Sequence, residues 1–185
     1  MRLIEAGYIG RLFAGNPFAG YDVEQALFGT SLGISLDLAF ARGGRENVMR
    51  AVNAIRHAGS VAAAVEKNLL TSGIMHACVR NNVDVVLTGS IRDEGSFPGA
   101  TTDAIEGQKV LREKLADVTH ALLLASIRHS LAAVSMLAPT VKIVCVDIDA
   151  SALERVVEQQ PLQSIGMITD VEPFLRELAD CLAAS

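Results

Sequence analysis

Residues 83–100 read VDVVLTGSIRDEGSFPGA, an apolar β-branched run that passes directly into a polar loop between glycines. The run predicts a buried strand over residues 83–88. The loop that follows contains four polar side chains: Ser90, Arg92, Asp93 and Glu94. Parallel α/β proteins bind ligands where strands end, so charge at this point indicates a site. A solvated turn explains the same composition equally well.

The pattern that starts with this strand continues to the end of the chain. Further strands are predicted at 119–125, 141–147 and 164–168, and helices at 103–116, 128–137, 151–159 and 171–183. Four apolar strands, each followed by a helix, are typical of a parallel sheet covered on both faces. The prediction is a Rossmann-like three-layer α/β fold with a mostly parallel sheet, as a single domain over residues 1–185.

The residues upstream are predicted to be mainly helical. The predicted helices span 2–13, 22–27, 45–57, 61–67 and 71–81. Asp22 is placed at the start of the second helix, where its side chain can cap the free N–H groups. The first helix carries an apolar stripe with no preceding strand to cover it, which predicts self-association into a homo-oligomer.

Composition excludes several classes of function. The net charge of −5 comes with no basic cluster, so nucleic acid is not an expected partner. No apolar run approaches the roughly 20 residues that cross a bilayer, and the N-terminus lacks the pattern of a signal peptide. The 3 cysteines are widely spaced and form no CxxC pair, which predicts neither disulfides nor a metal site. These features predict a soluble, cytoplasmic protein.

Polar residues follow three of the predicted strands, within residues 89–95, 125–130 and 146–149. The carboxyl ends of parallel strands share one edge of a sheet, so these segments are expected to lie at one rim. Asp147 or Asp149 could there accept the ribose hydroxyls of a nucleotide. Capping of the helix that starts near residue 151 explains one of the two acids without a ligand.

Two short segments could bind a phosphate. GTSLG at residues 29–33 is neither GxGxxG nor a Walker A motif, but its N–H groups and hydroxyls could hold a pyrophosphate. A tight turn is the more common meaning of such a string. Residues 71–73, Thr-Ser-Gly, could bind an anion at a helix start or form a plain N-cap. His129 could act as a general acid or base, or lie exposed.

Several strings together resemble a known family. They are AGN at 14–16, ALFGTSLG at 26–33, NAIRHAGSVAAAVE at 53–66, LLTSGIM at 69–75, LTGSIRDEG at 87–95, VKIVCVDID at 141–149 and IGMITDVEPFL at 165–175. The chain resembles, end to end, the conserved region of the lysine-ketoglutarate reductase/saccharopine dehydrogenase bifunctional family. That family includes archaeal-type ornithine cyclodeaminases and the C-terminal half of cyanobacterial arginine dihydrolase/ornithine cyclodeaminase proteins.

The resemblance implies an NAD-binding domain similar to deoxyhypusine synthase. The cofactor-binding residues that it implies are Thr30, Ser31 and Leu32 along the dinucleotide, Thr71, Ser72 and Gly73 at its phosphates, Gly89, Ser90 and Asp93 toward the nicotinamide, and Asp147 at the ribose, with Asp149 as a further candidate.

The implied reaction converts ornithine, a small cationic amino acid, into proline and ammonia through transient hydride transfer to bound NAD. Arg92, Asp93 and Glu94 are the implied catalytic residues, because a cation suits the substrate carboxylate and carboxylates suit its amines. Family members are usually longer, with a segment and a strand that would precede Met1. The alternatives are a non-catalytic NAD-binding or assembly module of a longer enzyme, and an amino-acid oxidoreductase.

Overall fold

The computed structural model describes residues 1–35, 46–89 and 97–184. It divides into two compact units, Met1–Gly107 and Gln108–Ser185. The single domain over 1–185 stays a prediction.

The first unit combines a parallel strand pair with helices. Its elements are α1 (Arg2–Glu5), β1 (Arg11–Gly15), α2 (Asn16–Phe28), β2 (Thr30–Ser31), β3 (Ile34–Ser35), α3 (Glu46–Ala58), α4 (Val61–Glu66), α5 (Ile74–Arg80) and β4 (Asp84–Thr88), and α6 (Ala104–Leu115) begins in it. β1 and β4 pair in parallel, with Gly15 opposite Thr88, whereas β2 and β3 form a short antiparallel hairpin.

Two predictions for this unit are wrong. The helix predicted over 2–13 ends at Glu5, and Arg11–Gly15 forms β1 instead. Glycines at positions 7 and 10 interrupt the helical pattern, and parallel pairing with β4 then decides the conformation. Asp22 does not start a helix, because it lies inside α2, which begins at Asn16 with a proline in its first turn.

The second unit is an alternation of strands and helices. After α6 it contains β5 (His120–Leu124), α7 (Ile127–Val134), β6 (Lys142–Asp147), α8 (Ala150–Val157), β7 (Ser164–Ile168) and α9 (Val171–Ala183). The strands lie in the order β5-β6-β7 and all pair in parallel. The predicted strands and helices of this region are confirmed to within a few residues.

Each unit has a core of small and aliphatic side chains. In the first unit α2, α3 and β4 contribute Val23, Ile55 and Leu87, together with Leu70 from the loop before α5. In the second, Val134 of α7 and Val156 of α8 are buried, as are Ile143 and Val146 of β6. Among the described residues, no helix is long and apolar enough to cross a membrane.

Candidate functional site

The carboxyl end of β4 is built for close backbone approach. Gly89 donates its N–H to the carbonyl of Thr101 at 2.7 Å, and Thr101 N–H returns to the carbonyl of Leu87 at 2.9 Å. A Cβ at Gly89 would lie 3.3 Å from the Cα of Thr102, so glycine leaves room that a side chain would fill. The loop residues predicted beyond it, Ser90, Arg92, Asp93 and Glu94, lie outside the described residues.

The GTSLG segment is a tight turn folded around a carboxylate of the protein itself. Glu24 of α2 is fully buried. Its Oε1 accepts hydrogen bonds from Thr30 Oγ1 at 2.8 Å and from Gly33 N at 3.0 Å, and its Oε2 accepts one from Leu32 N at 3.0 Å. Two of the N–H groups that could have held a pyrophosphate, those of Leu32 and Gly33, are therefore bonded to Glu24. Sequence reasoning did not identify this residue.

The side chains of this turn differ in burial. The Thr30 hydroxyl is buried, donates to Glu24 and accepts from Asn47 Nδ2 at 3.1 Å. Ser31 is half-buried, and Leu32 is 49% exposed. Of the three residues predicted along the dinucleotide, Thr30 supports the turn from inside, and Ser31 and Leu32 are the two that a ligand could touch. Their contact with a cofactor stays a prediction.

The start of α5 is likewise held by a carboxylate. Asp22 Oδ1 accepts from Ile74 N, and Asp22 Oδ2 accepts from Met75 N, each at 2.8 Å. The N-cap residue is Gly73, at a φ of 98°, so Thr71 and Ser72 do not cap the helix. Both of those side chains are exposed. The first two N–H groups of α5 are thus occupied, and the role of residues 71–73 in cofactor binding stays a prediction.

The turn after β5 combines an unusual backbone with a Ser–His pair. Ala125 and Ser126 both have left-handed φ values, 51° and 50°, which are rare for residues other than glycine. The turn is held by Ala125 N–H, which donates to the carbonyl of Val146, and by the buried Ser130 hydroxyl, which donates to the carbonyl of Ala125. Ser126 Oγ shares a 2.8 Å hydrogen bond with Nδ1 of the exposed His129.

The two acids at the end of β6, Asp147 and Asp149, have separate roles. Asp149 Oδ1 accepts from the backbone N–H and the hydroxyl of Ser151, each at 2.9 Å, so capping of α8 is confirmed. These hydrogen bonds lower the pKa of Asp149. Asp147 Oδ1 accepts from Asp149 N at 2.9 Å. In the described ranges its Oδ2 has no partner, so that oxygen can accept a ligand hydroxyl.

Only part of the predicted rim can be described as one edge. Leu124 lies opposite Val146 in the parallel sheet, so Ser126, which follows β5, and Asp147, the last residue of β6, lie at the same carboxyl edge of the second unit. Gly89 follows β4 in the first unit, where the ends of β1 and β4 lie side by side. Parallel strands that lead through polar or glycine turns into helices define an α/β domain of the Rossmann class.

Comparison with known proteins identifies the family. A family model described as arginine dihydrolase ArgZ-like, C-terminal, Rossmann fold, matches residues 1–178, and the chain belongs to this family. The ornithine cyclodeaminase of Methanocaldococcus jannaschii is 40% identical over 180 residues, which are 97% of this chain and 43% of that protein. The bifunctional arginine dihydrolase/ornithine cyclodeaminase AgrE of Nostoc is 39% identical over 182 residues, 98% of this chain and 26% of AgrE.

Solved structures agree with this assignment. A LOR/SDH protein from Methanococcus maripaludis S2 has a TM-score of 0.92 at 38% identity, and the match covers 97% of this chain and 55% of that one. The ternary complex of AgrE with ornithine and NAD⁺ has a TM-score of 0.91 at 38% identity, and the match covers 99% of this chain and 27% of AgrE. The resemblance and the Rossmann fold inferred from the sequence are confirmed. The chain spans less than half the length of the curated relatives that it matches.

Proposed function

We propose that this chain binds NAD and forms the cofactor-binding part of an ornithine cyclodeaminase-type ammonia lyase. The observation that carries the proposal is the likeness to AgrE, whose complex contains ornithine and NAD⁺ and which matches 99% of this chain. The net reaction would convert ornithine into proline and ammonia. NAD, when bound, would supply a reversible hydride acceptor, so it would be regenerated in each turnover.

Each unit, taken by itself, offers groups that could bind part of a dinucleotide. Asp147 presents an acceptor oxygen at a strand end, as required for a ribose hydroxyl. Gly89 lets the backbone after β4 pack closely against Thr101 and Thr102, which fixes the start of the loop that the resemblance places at the nicotinamide. Ser31 adds the hydroxyl of a half-buried side chain. None of these contacts uses an N–H group already bonded to Asp22 or Glu24.

The substrate side of the proposal rests on Arg92, Asp93 and Glu94. A guanidinium can bind the α-carboxylate of an amino acid in a bidentate manner, and carboxylates can bind its two ammonium groups. These three residues come shortly after Gly89 in the same loop segment of the sequence. We propose them as the groups that orient a cationic amino acid at the cofactor.

A second candidate is an NAD-binding module without turnover of its own. It is favoured by one observation, that this chain spans 43% of the Methanocaldococcus relative. In this candidate the matched region supplies the cofactor-binding residues, and residues outside that region complete the catalytic site. A cytoplasmic location and a homo-oligomeric state accompany both candidates as predictions.

The candidates are separated by one series of measurements. The purified protein is denatured, released ligands are identified by mass spectrometry, and the native protein is incubated with ornithine. Bound NAD with proline and ammonia formed in equal amounts, and no net NADH, supports the lyase. Bound NAD without turnover supports the module, and NADH formed in proportion to product supports an oxidoreductase. Absence of binding at millimolar NAD contradicts the proposal.

A further inference from the structure

A buried carboxylate such as that of Glu24 is energetically unfavourable unless its oxygens are hydrogen-bonded. Glu24 is 0% exposed, on the face of α2 that also buries Val23. A carboxylate that moves from water into the protein interior loses several kcal/mol of solvation free energy unless hydrogen bonds compensate it. An apolar side chain at the same position would have no such penalty. Every hydrogen bond described for Glu24 comes from residues 30–33. The carboxylate is therefore matched to that turn.

The turn over residues 30–33 forms a small site that suits an anion. Leu32 and Gly33 are both left-handed, with φ values of 54° and 74°, and leucine adopts this conformation only at a cost in energy. Successive N–H groups in such a turn point to one side and form a small anion-binding nest. Glu24 places its two oxygens in this nest. Removing the charge would release Leu32 from a conformation that it does not favour.

The conformation of the turn decides what it presents to the outside. With Thr30 bonded to Glu24 and Asn47 in the interior, Ser31 is half-buried and Leu32 is 49% exposed. We propose that Glu24 is a positioning residue of the cofactor site: it touches no ligand, but it holds Ser31 and Leu32 in the arrangement that contacts NAD. This inference rests on the proposed function, specifically on NAD binding.

The test is the Glu24→Gln variant, assayed by titration with NAD. The amide keeps one acceptor oxygen, but its NH₂ group cannot accept from an N–H, so at least one of the three hydrogen bonds is lost. We expect the Kd for NAD to rise about tenfold, the effect of losing roughly one well-placed hydrogen bond. Titrations are made well below the melting temperature, so that both proteins are folded.

Ile55→Val is the matched control. Ile55 is fully buried in the core of the same unit and makes no contact with Glu24 through hydrogen bonds, so its shortening lowers the melting temperature without changing the turn. We expect its Kd for NAD to match that of the wild type. An unchanged Kd in Glu24→Gln overturns the inference, and so does an equal rise in Ile55→Val, which would show that lost stability alone weakens binding.

Two further variants make the result specific. In a Ser31→Ala background the effect of Glu24→Gln should shrink, because Glu24 acts through the residue already removed, and strict additivity would contradict the inference. If Glu24→Gln does not fold, Thr30→Val removes one donor to the same carboxylate and should raise the Kd in the same direction. A wild-type chain that binds no NAD overturns the proposed function itself, whereas binding that is insensitive to these variants overturns only the positioning role.

Discussion

Two carboxylates of α2, Asp22 and Glu24, each accept backbone N–H groups from a different segment of the first unit. Asp22 bonds to the start of α5, and Glu24 bonds to the turn after its own helix. Both segments are ones that the sequence suggests for phosphate binding, because the N–H groups of a tight turn and of a helix start have no partner within that turn or helix. A protein carboxylate satisfies such groups as well as a phosphate does.

At the ribose position, we expect Asp147→Ala to weaken NAD binding by roughly 1–3 kcal/mol, the range for leaving buried hydroxyl groups unpaired. Titration of NAD into the purified variant measures this. Asp149→Ala is the comparison, because the Asp149 carboxylate is used by the cap of α8. It should lower thermal stability and change NAD affinity less than Asp147→Ala does. Unchanged affinity in Asp147→Ala would exclude the ribose contact.

The cysteines should differ sharply in reactivity. Burial, with a smaller contribution from nearby Asp22, raises the pKa of the Cys78 thiol to about 11, and burial also raises the pKa of Cys145. The reactive thiolate is therefore scarce at both positions near neutral pH, whereas Cys181 is exposed. We expect one label per native chain from a thiol reagent and three after denaturation, counted by mass spectrometry. Rapid labelling of Cys78 in the native protein would contradict its burial.

The pKa of Cys78 also sets a direction for stability. The folded state holds the Cys78 proton up to about pH 11, and the unfolded state releases it from about pH 9, the ordinary value. The free energy of unfolding that this group contributes should therefore be constant below pH 9 and fall as the pH rises between these values. Chemical denaturation of the wild type and of Cys78→Ala across this range measures the difference.

Among the elements, β1 is the clearest conflict between local pattern and final structure. Leu12 and Phe13 continue a helical spacing from Leu3, yet they belong to a strand. Five residues of β4 pair with β1 from end to end. A strand in a parallel pair needs a partner distant in the chain, so no local pattern could have identified β1.

Helix α5 provides a test at the same scale. Asp22→Asn leaves one acceptor for two N–H groups, so we expect the free energy of unfolding to fall by about 1–2 kcal/mol. Glu66→Gln makes the same chemical change on an exposed side chain of α4 and should stay within about 0.5 kcal/mol of the wild type. Denaturation by urea compares the three proteins. Equal stability of the two variants would show that the contact between α2 and α5 contributes little.

For the whole molecule, self-association stays a prediction, but the helix over residues 2–13 from which it is inferred does not form. The helix expected to carry an exposed apolar stripe is only Arg2–Glu5. In the part of the chain that the structure describes, β7 lies at the edge of its sheet and exposes apolar side chains, with Ile165 65% and Ile168 64% exposed. Exposed apolar side chains on an edge strand favour association. Light scattering at micromolar concentration should give a multiple of 19.6 kDa, and a mass of one chain would contradict the prediction.

The sequence by itself determined the class of fold and the alternation of elements after residue 83. Apolar runs such as 141–147 are long enough to form strands. Asp149 and Asp170 each cap the helix that starts at the next residue, and each accepts an N–H from its first turn. These signals are local, because each depends on residues a few positions apart. The family was readable for the same reason, since its strings are contiguous.

Only the tertiary structure decided which groups remain available for a ligand. Asp22 and Ile74 are 52 positions apart, and nothing near either residue in the chain shows that one caps the other. The left-handed turn at Ala125 depends on a carbonyl of β6 and on the buried Ser130 hydroxyl. Whether an N–H group can bind a phosphate depends on whether another part of the fold already uses it, and that is fixed by packing between distant segments.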